Sequence, residues 1–127
     1  MEDGVKRHAR LTINMYGRDL RLARRGEIMQ ASKKLYKAAK EGTKALAIAK
    51  DTEEARKALR RRGWSTRLLG LAAIKLGPTA FNAWTHAYYS HVEGFHEVRL
   101  GMKELNASIL MIESLIQEVR KLLDQES

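Results

Sequence analysis

Apolar residues recur along this chain at helical spacing, and the period-two alternation of half-buried strands is missing throughout. The last stretch carries the broadest apolar face. Leu105, Ile109, Ile112, Ile116, Val119 and Leu123 repeat in a 4-3 pattern, and Leu110, Met111, Leu115 and Leu122 widen it beyond a coiled-coil seam. This predicts a helix over about Met102 to Asp124, buried against two neighbours or paired on one side across a homodimer. The clearest pattern lies earlier. Ile28, Leu35, Ala39, Gly42, Leu46 and Ala49 form one face of a helix over about Glu27 to Lys50. Several of these residues are small, so another helix can approach closely.

Four more elements follow from local signals. A first helix runs from about Arg7 to Arg24, turns Leu11, Met15 and Leu22 inward and ends at Gly26. Met1 to Lys6 is expected to fray. Asp51 with Glu54 resembles a capping box and opens a short helix over about Thr52 to Arg62, stopped by Gly63. Ser65 or Thr66 can cap a fourth helix, about Arg67 to Leu76. Gly77-Pro78 then breaks the chain, and Pro78 suits the first position of a fifth helix, about Pro78 to Val98. Gly17, Gly42, Gly70 and Gly94 fall inside helical patterns, where glycine costs about 1 kcal/mol relative to alanine. Tight helix crossings would offset that cost. The expected fold is all-α: one domain over residues 1–127, a compact bundle of about five to six helices.

A chain of 127 residues can bury a core without disulfides or structural metal. It has no cysteine, which excludes disulfides, thiol catalysis and cysteine-ligated zinc. No apolar run is long enough to span a bilayer and no signal-peptide core stands at the N-terminus, so a cytosolic protein without membrane association is expected.

Charge changes the picture. The net charge is +9, but residues 1–62 hold 18 Lys/Arg against 8 Asp/Glu, whereas residues 63–127 hold 6 against 7. All the excess sits in the first half. Such asymmetry favours an anionic partner, RNA or another polyanion, with plain solubility as the bland alternative. Lys33, Lys37, Lys40 and Lys44 share one helix face, where like charges repel. They form either a solvated face or a phosphate-binding one. Arg60, Arg61 and Arg62 complement the dipole at the end of the third helix and are a second set of candidate phosphate contacts. Only Tyr16 and Tyr36 are aromatic in this half, so base stacking has little support and binding should tolerate any sequence.

Candidate chemistry concentrates between Phe81 and His96, which holds five of eight aromatics and three of four histidines. His86, His91 and His96 are five residues apart, so on a regular helix they point about 140° from one another. The i, i+4 spacing of a helical zinc pair is missing, and no metal or cofactor is expected. Phe81, Trp84, Tyr88, His91 and Phe95 form an aromatic stripe expected in the core. Asn82, His86, Tyr89, Glu93 and His96 form a polar stripe. A carboxylate beside imidazole is the minimum equipment for proton transfer, which makes His86, Glu93 and His96 the weak catalytic candidates. The same set also suits a hydrogen-bonded helix contact, and that structural reading is favoured.

Two segments carry a family resemblance. Gly26, Glu27, Gln30, Ala31, Ser32, Lys34, Tyr36, Ala38, Ala39, Lys44, Ala45 and Leu46 form one motif. His91, Gly94, Phe95, His96 and Glu97 form a second. In this order they resemble the archaeal PaREP repeat-protein family. The resemblance implies a compact helical domain related to the HEPN superfamily, whose members often act as homodimers and include RNases. Those RNases use an arginine followed four to six residues later by a histidine on one helix. No arginine stands at that distance before His86, His91 or His96, and no histidine follows Arg99. HEPN chemistry is therefore not carried over.

Three readings follow. The favoured one is a noncatalytic nucleic-acid- or nucleotide-associated module, acting as a dimer or with a partner protein through the last helix. The second is a ribonuclease-like or nucleotide-acting enzyme using a His/Glu site, weakened by the absence of a G-x-x-x-x-G-K-[ST] phosphate loop. The third is a purely structural or scaffold helical protein.

Overall fold

The computed structural model describes residues 2–96 and 101–124, with side chains at 4–93 and 101–124. Six α-helices and one π-helical segment follow in order: α1 (Glu2–Arg24), α2 (Ile28–Ala49), α3 (Glu53–Arg61), α4 (Thr66–Leu76), α5 (Pro78–Ser90), the π segment (His91–His96) and α6 (Met102–Asp124). There is no strand among the described residues.

The two halves of the first hairpin set the frame. Gly26 adopts a positive φ of 75°, and the Glu27 amide reaches back to the Leu22 carbonyl at 3.0 Å. This glycine-centred ending reverses the chain, so α1 and α2 pack antiparallel along their length. Helix α1 begins at Glu2, where fraying was expected. Val5 and Ala9 explain the difference: both are buried, so the first turns have a core to hold them.

Helix α2 is the central element. Ala31, Ala38, Ala39, Ala45 and Ala47 are fully buried, and small side chains let α1, α5 and α6 crowd around it. The crossing is tightest at Gly42. A Cβ there would stand 3.3 Å from Thr12 Cγ2 on α1 and 3.3 Å from Val119 Cγ2 on α6. Gly70 faces only Trp84 at an ordinary 3.5 Å, and Gly17 meets no other helix, so the tight-crossing expectation holds at Gly42 alone of these three. Gly94 lies outside the described side chains.

Helix α6 buries Leu105, Ile109, Ile112, Leu115, Ile116 and Val119 against α1, α2 and α5, while Leu110 stays 68% and Met111 38% exposed. Ser90 and Ser108 share a buried hydrogen bond of 2.6 Å that fixes α5 on α6.

The caps correct one expectation. Thr52, not Asp51, caps α3: its Oγ1 accepts from the Ala55 amide at 3.2 Å. Asp51 is left-handed at φ 50°, and its carboxylate pairs with Arg56 at 3.2 Å instead of capping. Helix α3 ends on Arg62, also left-handed at φ 59°, one residue before the expected Gly63 stop. Ser65 caps α4 through the Leu68 amide at 3.1 Å, and Pro78 opens α5.

Candidate functional site

The Phe81–His96 segment divides differently from a regular helix. It passes from α to π winding at His91, which resets which side chains share a face. Of the expected core stripe, Trp84 is buried, but Phe81 and Tyr88 are 41% and 45% exposed. The cluster gathers around Tyr36 of α2 instead. His91 stacks on the Tyr36 ring with centroids 4.1 Å apart, and Trp84 and Tyr88 lie at 5.6 and 6.1 Å. Tyr36 and His91 belong to the two motifs quoted above, so the motifs meet in space. Desolvation raises the pKa of the Tyr36 hydroxyl.

Of the polar stripe, Asn82 and Tyr89 are exposed. His86 is half-buried, and Glu93 has a partner of its own. The side chains of Phe95 and His96, and all of Glu97, lie outside the described residues. Among the described residues no group of three or more His, Asp or Glu could hold a metal.

The lysines of α2 have separate roles. Lys33 and Lys37 are exposed, and Lys33 has a partner. Lys40 sits over the Tyr36 ring at 4.9 Å, and Lys44 donates to Glu41 at 2.8 Å. Lys34 is half-buried and Gln30 exposed, whereas the motif residues Ala31 and Ser32 are buried, with Ser32 Oγ donating to the Met29 carbonyl. Arg60, Arg61 and Arg62 are exposed on α3 and its cap.

A second array went unseen in the sequence. Glu41 lies on the buried face of α2 and is bound from two sides, by His8 Nδ1 of α1 at 2.5 Å and by Lys44. Burial alone would raise its pKa. The hydrogen bonds from His8 and Lys44, with their charge, overcome that and hold it at about 2. An ionised carboxylate only accepts, so Nδ1 carries the proton in this pair. Nε2 is the ring atom left for other partners. The one sequence signal was a glutamate amid the small inward residues of α2, where a buried carboxylate needs hydrogen-bond donors.

His8 also lines a groove. Its walls are the start of α1, the end of α2 and helix α3, and its volume is about 530 Å³. Arg7, Arg56 and Arg62 supply charge, and Ile48, Leu59 and Trp64 supply apolar surface. Arg56 is held at the rim by the Asp51 carbonyl at 2.7 Å and its carboxylate at 3.2 Å. A neighbouring depression of about 550 Å³ runs along α1 and is lined by Lys6, Arg7, Arg10, Leu11 and Asn14. Arg7 belongs to both. Trp64 follows the basic half by two positions, which is why chain order hid an aromatic inside the basic surface.

The sequence pattern of the archaeal PaREP1/PaREP8 family matches residues 8–116. The chain belongs to that family. A solved structure of a Sulfolobus solfataricus protein is similar, with 27% identity, a TM-score of 0.82, and 89% of this chain and 96% of that one covered. No curated protein matches. In this PaREP1/PaREP8 chain the buried alanines of α2 and the Tyr36–His91 stack account for much of the two motifs as packing. No described helix is long and apolar enough to cross a membrane.

Proposed function

We propose that this PaREP1/PaREP8 chain is a noncatalytic nucleic-acid-associated module that binds the phosphate backbone of RNA along α1 and α3. The observation that carries the reading is the position of Arg7. It lines both depressions and so joins Lys6 and Arg10 of α1 to Arg56 and Arg62 at α3 in one basic surface. Arg60 and Arg61 extend it along the exposed side of α3. The contacts expected are positional rather than base-specific, because guanidinium and ammonium groups read phosphate without reading sequence. The kinship to HEPN bundles inferred from the two motifs is compatible with this role.

The test is binding of a single-stranded RNA of mixed sequence at rising salt. Counterion release predicts log affinity falling linearly with log salt, with a slope of about −0.7 per phosphate neutralised. The double variant Arg7→Ala/Arg10→Ala should bind more weakly and lower that slope by about 1 or more. If the variant keeps both the wild-type affinity and slope, the surface is assigned wrongly.

A further inference from the structure

We infer that the groove between α1, α2 and α3 takes a nucleoside phosphate, with its ring against Trp64 and Leu59 and its phosphate against Arg7 and Arg62. The inference rests on the nucleic-acid reading above and gives it a defined site.

Four observations lead there. The groove, at about 530 Å³, falls within the size range of small-ligand pockets. Its lining is mixed in a particular way: an indole and two aliphatic side chains lie beside three guanidinium groups. Indole offers a planar face to a base, and guanidinium matches phosphate with paired donors. Asp51 also lines the groove, and its carboxylate is paired with Arg56.

Arg62 is the third observation. It occupies a left-handed position at φ 59°, where glycine is the ordinary residue, and Gly63 stands next in sequence. The chain therefore accepts backbone cost to hold a cation at the groove. Arg56, by contrast, is already engaged with Asp51.

His8 is the fourth. Its Nδ1 is tied to Glu41, and Lys44 holds the other carboxylate oxygen, so the ring has a set orientation at the groove wall. Nε2 can then meet a ligand hydroxyl or phosphate oxygen. Glu41 and Lys44 act as positioning residues through His8.

The ligand chemistry has two sources, a free nucleotide or the phosphorylated end of an RNA strand. Calorimetric titration of the full chain with adenosine 5′-monophosphate, adenosine and inorganic phosphate tests the shared chemistry. Saturable binding of the monophosphate is expected, roughly tenfold or more tighter than either fragment. Arg62→Gly keeps the left-handed cap and removes the guanidinium. Leu59→Glu places a carboxylate at a position that is 78% exposed and so leaves the core untouched. Each should weaken the monophosphate about tenfold without lowering the melting temperature. Monophosphate binding that is absent, or unaltered in both variants, overturns the inference.

Competition with RNA oligonucleotides bearing a 5′-phosphate or a 5′-hydroxyl then separates the sources. Preference for the 5′-phosphate supports the strand end, and indifference to it alongside monophosphate saturation supports the free nucleotide. RNA binding without monophosphate binding removes the groove site and leaves the backbone reading intact. Monophosphate binding without any RNA binding at low salt does the reverse.

Discussion

Asp19 lies on the inner side of α1, fully buried, and neither carboxylate oxygen has a hydrogen-bond partner among the described residues. Desolvation pushes its pKa up to about 8. The folded state therefore keeps the proton while the unfolded chain, near the ordinary 3.8, releases it. Stability contributed at Asp19 is greatest below pH 3.8 and falls as pH rises toward 8. Glu41 works in the opposite sense. Its folded pKa of about 2 lies below 4.5, so its contribution is present above 4.5 and is lost as pH falls through about 2. Denaturant melts from pH 4 to 8 should thus show declining stability in the wild-type chain and a flatter profile in Asp19→Asn, with the variant more stable at pH 8 by roughly 1–3 kcal/mol. Equal slopes would remove Asp19 as the cause. Arg62 makes a second residue-scale prediction. Glycine at this left-handed position should stabilise the chain by up to about 1 kcal/mol, even as it weakens groove binding. Thermal melts read the first effect and calorimetry the second.

At the scale of elements, helix existence was legible because each boundary had a chemical mark: Gly26, Ser65, Gly77-Pro78 and the apolar period of α6. Boundaries failed where tertiary contact overrode local signal, as in the first turns of α1, which Val5 and Ala9 anchor. Thr52 won the α3 cap because Asp51 was drawn into a left-handed turn. The π winding at His91 was not legible, since periodicity reads regular helices only. The His8–Glu41 pair was also hidden: its partners are 33 residues apart and meet only because α1 and α2 run antiparallel. Gly42 is the element-scale test of this packing. Gly42→Val must push Thr12 and Val119 apart, so it should lower stability by about 1–3 kcal/mol, measured by urea unfolding. A neutral result would mean that the α1–α2–α6 crossing is looser than its geometry.

Across the whole molecule, charge and packing are divided between the two halves of the sequence. The first half carries the excess positive charge, and α1–α3 display much of it around the groove and along α1. The second half carries less charge and supplies α5 and α6, which complete the core. The polarity of this arrangement was visible in composition, but its focus was not. Sequence spacing drew attention to the α2 lysines, whereas folding gives Lys40 and Lys44 internal partners and brings Arg7 beside Arg56 and Arg62. The measurement that bears most directly on the account is RNA affinity against salt for the wild-type chain and the Arg7→Ala/Arg10→Ala variant. Binding is expected at about 50 mM salt and should fall steeply by about 200 mM, with a shallower slope in the variant. No binding at the lower salt, or identical slopes, would contradict it.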